Sequence, residues 1–297
     1  MIEILNEKID NKTSVALGFF DGLHIAHMAV INRIANKKNS CVLTFKTKGF
    51  SDKTLISDET KMNILSDHKI EYIKFLDFNV VKDMSPECFV KEILKEQLNA
   101  QFVVCGYNFR FGKKAMGTTD DLTSLCSKYG IETEIIGELD FDGEAVSTTR
   151  IKALLRDGNI VEANKLLGYR YFIEDKVIHG KQLGRKYDFP TANQKIKNGR
   201  FIPKLGVYAS IVSFDGKSYT GVTNIGTKPT VSEDKTVISE TCLLDYSGDL
   251  YEKVIRVEFI EFLREEKKFT DVSSLAGQIS NDKISAMKLL TEGGYNG

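Results

Sequence analysis

The stretch Ser14-Val15-Ala16-Leu17-Gly18-Phe19-Phe20-Asp21-Gly22-Leu23-His24-Ile25-Ala26-His27 decides the fold of the first half of the chain. A short apolar run over 14–18 reads as a buried strand, Asp21 and Gly22 interrupt it, and a helical pattern opens at His27. A strand that turns directly into a helix is the first half of a βα unit. Such a unit sets its turn at the carboxyl edge of a parallel sheet, which is where ligands bind in folds of this kind.

Working outward, the same rhythm continues. Short apolar runs at 41–45, 72–76, 102–105 and 132–136 alternate with amphipathic stretches at 27–37, 58–66, 85–97 and 121–129. The alternation predicts a Rossmann-like α/β domain with helices on both faces of a parallel sheet. After helices expected at 149–155 and 160–167 the period changes. Strand candidates at 171–177, 206–214, 219–225, 238–244 and 254–262 predict a small antiparallel β-barrel, and 273–290 reads as a C-terminal helix. The change of period places a domain boundary at 168/169, giving domains 1–168 and 169–297.

Composition narrows the function. The 297 residues carry 41 Lys plus Arg against 41 Asp plus Glu, so no overall field favours nucleic acid or an anionic membrane, and neither is expected as a partner. The 5 cysteines are never at CxxC spacing, which argues against a disulfide framework or a zinc site and for a reducing, cytoplasmic setting. The N-terminus places charges where a signal peptide needs an apolar run, and no segment approaches a membrane span, so the protein is expected to be soluble.

Two constellations carry chemistry. In the first, His24 and His27 stand at the start of a helix, where amide N–H groups already favour an anion and imidazoles can donate to phosphate oxygens. The bland alternative is a polar turn and a helix-start residue. Thr148 and Thr149 open a later helix, where hydroxyls serve as caps or as further phosphate contacts. Gly112 and Gly117 have the spacing of a P-loop, but Thr118 stands where that loop requires lysine, so it is rejected. In the second, the expected strand 238–244 puts Glu240 on one face with Ile238, Cys242 and Leu244. A carboxylate on an apolar face is costly unless it has a partner or a task.

The segment Gly18-x-Phe20-Asp21-Gly22-x-His24-x-x-His27 resembles the nucleotidyltransferase signature of bacterial FAD synthetases. Gly106-Tyr-Asn108-Phe-Arg110-Phe-Gly112 and Ser147-Thr148-Thr149-Arg150-Ile151-Lys152 resemble further segments of that family. The segment from Val177 through Gly180, Gly184 and Arg185 to Pro190-Thr191-Ala192-Asn193 resembles the riboflavin kinase signature, and Gly221 to Thr230 and Phe262 to Phe269 resemble later kinase segments. Taken alone, Gly180 and Gly184 would be hairpin turns.

The resemblance implies an FMN adenylyltransferase domain followed by a riboflavin kinase domain. Together they would phosphorylate riboflavin to FMN and adenylylate FMN to FAD, with ATP as co-substrate and Mg2+ at both sites. It implies ATP contacts from Gly18, Phe19, Phe20, Asp21, His24, His27, Thr148, Thr149 and Lys152 at the first site. At the second it implies ATP contacts from Gly180, Gly184, Arg185, Thr191 and Asn193. Flavin contacts fall to Asn108, Arg110 and Arg264. Thr191 and Asn193 are two residues apart, so in an extended segment their neutral oxygens share one face and can hold magnesium with ATP phosphates. A ribityl alcohol needs a general base, for which Glu240 is the candidate; the FMN phosphate, already an anion, does not.

The chain departs from the family at four positions: Ala26 for Gly, Lys152 for Arg, Asp188 for Gly and Glu252 for Gly. A chain with one of the two activities alone, or a flavin- or nucleotide-binding regulator, stay open as alternatives.

Overall fold

The computed structural model describes residues 2–47, 53–179, 191–228, 236–244, 246, 248–267, 269 and 271–292. Its contacts gather into two compact units, Met1–Thr148 and Thr149–Gly297.

The first unit is built on a sheet of six parallel strands: β1 (Glu3–Ile4), β2 (Thr13–Leu17), β3 (Ser40–Phe45), β4 (Tyr72–Leu76), β5 (Ala100–Gly106) and β6 (Glu132–Ile136). Around it run α1 (Ile25–Ile31), α2 (Asp58–Asp67), α3 (Phe78–Val81), α4 (Pro86–Cys88) and α5 (Thr119–Lys128). α4 continues into Phe89–Gln97, a stretch of wider winding in which the Leu98 N–H reaches the Ile93 carbonyl.

The strand order is β1-β4-β3-β2-β5-β6, so the chain lays strands to one side of β2 and then to the other. The carboxyl ends of β2 and β5 therefore flank the point where the order reverses, the place such sheets reserve for ligands. β2 is buried along its whole length, as expected of a central parallel strand. On one face Val15 and Leu17 pack with Leu43, Val103, Val90, Leu94 and Leu122 in one core.

A two-stranded hairpin, β7 (Asp140–Phe141) with β8 (Glu144–Ala145), closes the unit. Its Asp142-Gly143 turn has positive φ at both residues, the geometry that matches strand twist.

The helix expected at 27–37 starts earlier and is shorter. His24 caps it at Ile25, and beyond Ile31 the N–H groups of Arg33, Ile34 and Lys37 bond only three residues back. β1, α3 and the β7–β8 hairpin were not expected, being too short to show a period.

The second unit begins at the second residue of α6 (Thr148–Asp157), followed by α7 (Ile160–Leu167), which packs on the last long strand of the unit. Asn164 of α7 donates to the Phe259 carbonyl at 2.9 Å and accepts from the Tyr171 N–H at 2.7 Å, while the Leu155 carbonyl receives the Lys204 N–H at 2.8 Å. These bonds explain why both helices gather with the second unit.

Six antiparallel strands follow: β9 (Phe172–Lys176), β10 (Thr191–Lys195), β11 (Gly206–Phe214), β12 (Lys217–Lys228), β13 (Thr236–Leu243) and β14 (Val254–Arg264). Their order is β10-β13-β12-β11-β14-β9, and a single bridge from Ile178 to Asn193 brings the two ends together into a nearly closed barrel.

One face of these strands carries a ladder of buried hydroxyls, Ser210 to Thr223 at 2.7 Å and Thr223 to Thr241 at 2.9 Å. The other face presents Val207, Ala209, Val222 and Ile260, which Ala286 and Leu290 of α8 (Val272–Glu292) cover. β10 was legible in the sequence only as an extended segment. The other long strands and α8 fall where the change of period put them, with ends shifted by a few residues.

Candidate functional site

In the first unit β2 delivers the chain into the turn 18–24 and β5 delivers it into the loop 107–112. Between them lies a cavity of about 820 Å³. Gly18, Phe19, Phe20, His24, His27 and Thr148 form part of its wall, and Asn108 and Arg110 another part. Apolar side chains, among them Phe45, Leu76, Phe89, Phe109 and Phe111, complete it. Eight of the residues expected at the adenylyltransferase and flavin positions thus meet around one space of mixed polarity, suited to a flat ring on one side and phosphates on the other.

The turn is strained and locked. Phe20 and Leu23 have φ of 52° and 43°, a region bulky residues seldom adopt. A Cβ on Gly18 would come within 2.8 Å of the Phe20 ring, so that ring can fold over position 18 only because a glycine is there. The Phe20 ring then meets His27 edge-on, with centroids 5.4 Å apart.

The two histidines stack, with ring centroids 3.5 Å apart and planes at 19°. Nδ1 of His24 accepts the His27 backbone N–H at 3.3 Å, which places the His24 proton on Nε2 in the neutral ring. Burial lowers the His24 pKa to about 4. Burial, with His24 and Lys61 nearby, holds His27 well below the usual range. At neutral pH both rings are neutral hydrogen-bond donors, and Nδ1 of His27 is buried without a hydrogen-bond partner. The capping role of His24 and its place in the cavity wall coexist, so the two readings of this pair do not compete.

Asp21 does not line the cavity. It is 3% exposed, its Oδ1 accepts the Leu55 N–H at 2.7 Å, and its carbonyl accepts the Thr148 hydroxyl at 3.1 Å. Asp21 thereby ties the turn to the segment that opens α6. Thr149 and Lys152 lie on α6 in the second unit. Ala26 sits in α1 with helical backbone, where alanine is favoured over glycine, so the departure costs the turn no strain, and its methyl forms part of the cavity wall.

In the second unit β10, β13 and β12 bring a row of side chains into register. Asn193 faces Glu240, and Glu240 faces Asn224, so the carboxylate stands between two amides on one face of the sheet. Thr191 shares that face two residues along. Nδ2 of Asn193 donates to the Thr191 carbonyl at 3.1 Å and approaches the Thr191 hydroxyl to 3.5 Å. It is the Asn193 amide nitrogen that meets the Thr191 hydroxyl here; a hydroxyl and an amide two residues apart on one face are nonetheless side chains whose neutral oxygens suit magnesium. Asn224 lies in the Gly221 to Thr230 stretch that resembles the family, but its place beside Glu240 comes from strand register.

Gly180, Gly184, Arg185, Asp188, Pro229 and Thr230 lie outside the described residues.

Arg264, expected at the flavin, is engaged by α8 in this structure. Its Nε and Nη2 bind both carboxylate oxygens of Asp282 on α8, at 2.7 Å for the closest pair, and Nη1 binds the Glu265 carbonyl. Gln278 adds a bond to the same carboxylate at 2.9 Å, and both charged side chains are largely buried. Glu252 has a φ of 62°, the left-handed conformation that a glycine adopts freely and glutamate does not.

Comparison with known proteins agrees with this layout. A sequence profile for FAD synthetase matches residues 6–150, and one for riboflavin kinase matches residues 167–290. The bifunctional riboflavin kinase/FMN adenylyltransferase of Listeria monocytogenes is 32% identical over 292 residues, covering 94% of this chain and 92% of that protein. The chain belongs to the bifunctional riboflavin kinase/FMN adenylyltransferase family. The Bacillus subtilis member is 34% identical, with 93% of this chain and 92% of that protein covered. A crystal structure of a macrolide-efflux protein from Streptococcus pneumoniae superposes with a TM-score of 0.85 over 96% of this chain and 98% of that one. At 24% identity this likeness shows the fold alone. No helix among the described residues of the present chain is long and apolar enough to cross a membrane.

Proposed function

We propose that the two units divide the two reactions of the family between them. The chain phosphorylates riboflavin to FMN in the barrel unit and adenylylates FMN to FAD in the unit that holds the histidine pair, with ATP as co-substrate in both. The observation that carries this reading is that each unit assembles its own constellation. The stacked histidines and the loop 107–112 share one cavity, and Glu240 stands in register with Asn193 and Asn224.

For adenylyl transfer the FMN phosphate attacks the α-phosphate of ATP and pyrophosphate leaves. The nucleophile is already ionised, so the protein's task is alignment and neutralisation of charge. His24 donates through Nε2–H to phosphate oxygens, with His27 stacked beside it and Thr148 on the same wall. Asn108 and Arg110 hold the flavin end against the aromatic wall. Asp21 serves by fixing the turn, and Thr149 and Lys152 supply further triphosphate contacts from α6. The change of period in the sequence supports a functional boundary at 168/169, which assigns Thr149 and Lys152 to the first reaction.

For the kinase reaction Glu240 takes the proton of the ribityl hydroxyl as that oxygen attacks the γ-phosphate. The family resemblance supports ATP-phosphate contacts from Gly180, Gly184 and Arg185, which lie outside the described residues. Thr191 and Asn193 would hold magnesium together with those phosphates, and the ion would neutralise their charge. Arg264 acts at the flavin end by holding α8 against the barrel rather than by direct contact. The setting is the reducing cytoplasm, in keeping with five free thiols.

The test is chromatography of flavins after incubating the full chain with ATP, magnesium and either riboflavin or FMN. Riboflavin should give FMN first and FAD later, and FMN should give FAD without a lag. The absence of product from both substrates would sink the enzymatic reading in favour of a binding protein.

A further inference from the structure

Lys61 of α2 is 0% exposed, although it lies in the stretch Asp58-Glu59-Thr60-Lys61 that reads as a solvated helix start. Its ammonium does not reach the cavity. It donates to the Phe19 carbonyl at 2.8 Å and to the Thr44 hydroxyl at 3.3 Å, and the same Thr44 hydroxyl donates to the same carbonyl at 2.9 Å. The three groups close a triangle on one backbone oxygen.

That oxygen belongs to the peptide that leads into Phe20. This peptide sets the φ of 52° at Phe20, and with it the position of the Phe20 ring over Gly18 and against His27. A bulky residue stays in a left-handed conformation only where its surroundings over-determine it. Burial also drives the Lys61 pKa down to about 8 against the pull of Asp58 and Asp21. An ammonium kept at such a cost, where an apolar chain of the same length would fit, has a task.

We infer that Lys61 is a positioning residue for adenylyl transfer: with Thr44 it grips the Phe19 carbonyl, holds the Phe19–Phe20 peptide in its left-handed turn, and so sets the turn amides and His27 for the ATP phosphates. The inference rests on the adenylyltransferase reading of this cavity and adds to it a residue that touches no substrate. Lys61 acts on the nucleotide side alone, since the loop 107–112 of the flavin side makes none of these bonds.

The experiment compares wild type, K61M and T44V in FMN adenylylation, with the thermal melting of each variant alongside. Methionine keeps the length of the chain and removes the donor and the charge. K61M is expected to fold, to raise the KM for ATP at least 10-fold and to leave the KM for FMN within twofold. T44V, which removes one donor from the carbonyl and leaves the lysine, is expected to raise the KM for ATP about threefold. Unchanged ATP constants in a folded K61M would overturn the proposal. So would a loss of kcat that follows the folded fraction while both KM values stay put, because that is the signature of a packing role. If K61M does not fold, T44V decides, and an ATP KM equal to wild type overturns the proposal. A wild-type protein that makes no FAD from FMN would sink the functional reading itself, an outcome distinct from all of these.

Discussion

The two units solve the same problem, holding ATP beside a flavin, with opposite kinds of site. In the first unit the chemistry sits in loops at the end of a parallel sheet, and its central groups are neutral: a buried histidine pair, backbone amides and a strained turn. In the barrel it sits on the strands, where a carboxylate is flanked across two strand pairings by amides. The difference follows from the nucleophiles. An ionised phosphate needs no base, so on the proposed reading loops that align it and donors and cations that offset its charge suffice. An alcohol must lose a proton, so the barrel needs a base fixed by register.

The contrast can be broken at several points. Within the first unit the largest effect is expected from His27→Ala. Loss of one preorganised donor should slow FAD formation from FMN by about 10²-fold, while FMN formation from riboflavin is unchanged. Paired assays of the two half-reactions give the answer, and equal losses in both would erase the division.

Next comes Asp282→Ala, which strands the Arg264 guanidinium in its largely buried place. It should cost the second unit about 3 kcal/mol. Calorimetry should show that unit's transition moving down while the first unit's stays, and kinase activity should fall with the loosened α8.

Acidification should separate the units in the other direction. An unfolded imidazole takes up its proton near pH 6.5, but folded His24 does so only at about 4. Between those values the unfolded chain binds more protons, so stability present above pH 6.5 is lost as the pH falls. At pH 5 the first unit should have lost about 2 kcal/mol through this residue. The second unit holds neither of these buried histidines, and its transition should move less over the same range.

The smallest effect is expected from Glu252→Gly. Relief of the left-handed backbone should stabilise the second unit by about 1 kcal/mol, measured as a raised denaturant midpoint.

The sequence announced the first site more fully than the second because the first is local. Gly18, Phe20, His24 and His27 lie within ten residues and mark a strand, a turn and a cap. Glu240 was visible as a carboxylate on an apolar face, but its neighbours Asn193 and Asn224 come together only through pairing that no spacing reveals. Lys61 escaped for a different reason. The logic applied to Glu240 would have found it, since Lys61 and Leu65 are four residues apart on the buried face of α2, yet the surrounding Asp58 and Glu59 made the stretch read as solvent-facing. For Arg264 the family resemblance suggested a flavin contact, while its ion pair with Asp282 could not be read locally because Asp282 lies on a helix whose docking the sequence does not encode.

The central claim is that each unit runs its own reaction, and Glu240→Gln tests it most directly, because glutamine keeps the shape of the strand and removes the base. With riboflavin and ATP the variant should form FMN about 10³-fold more slowly than wild type, and with FMN and ATP it should form FAD at the wild-type rate. A variant that still phosphorylates riboflavin, or that loses both reactions while folded, would contradict the account.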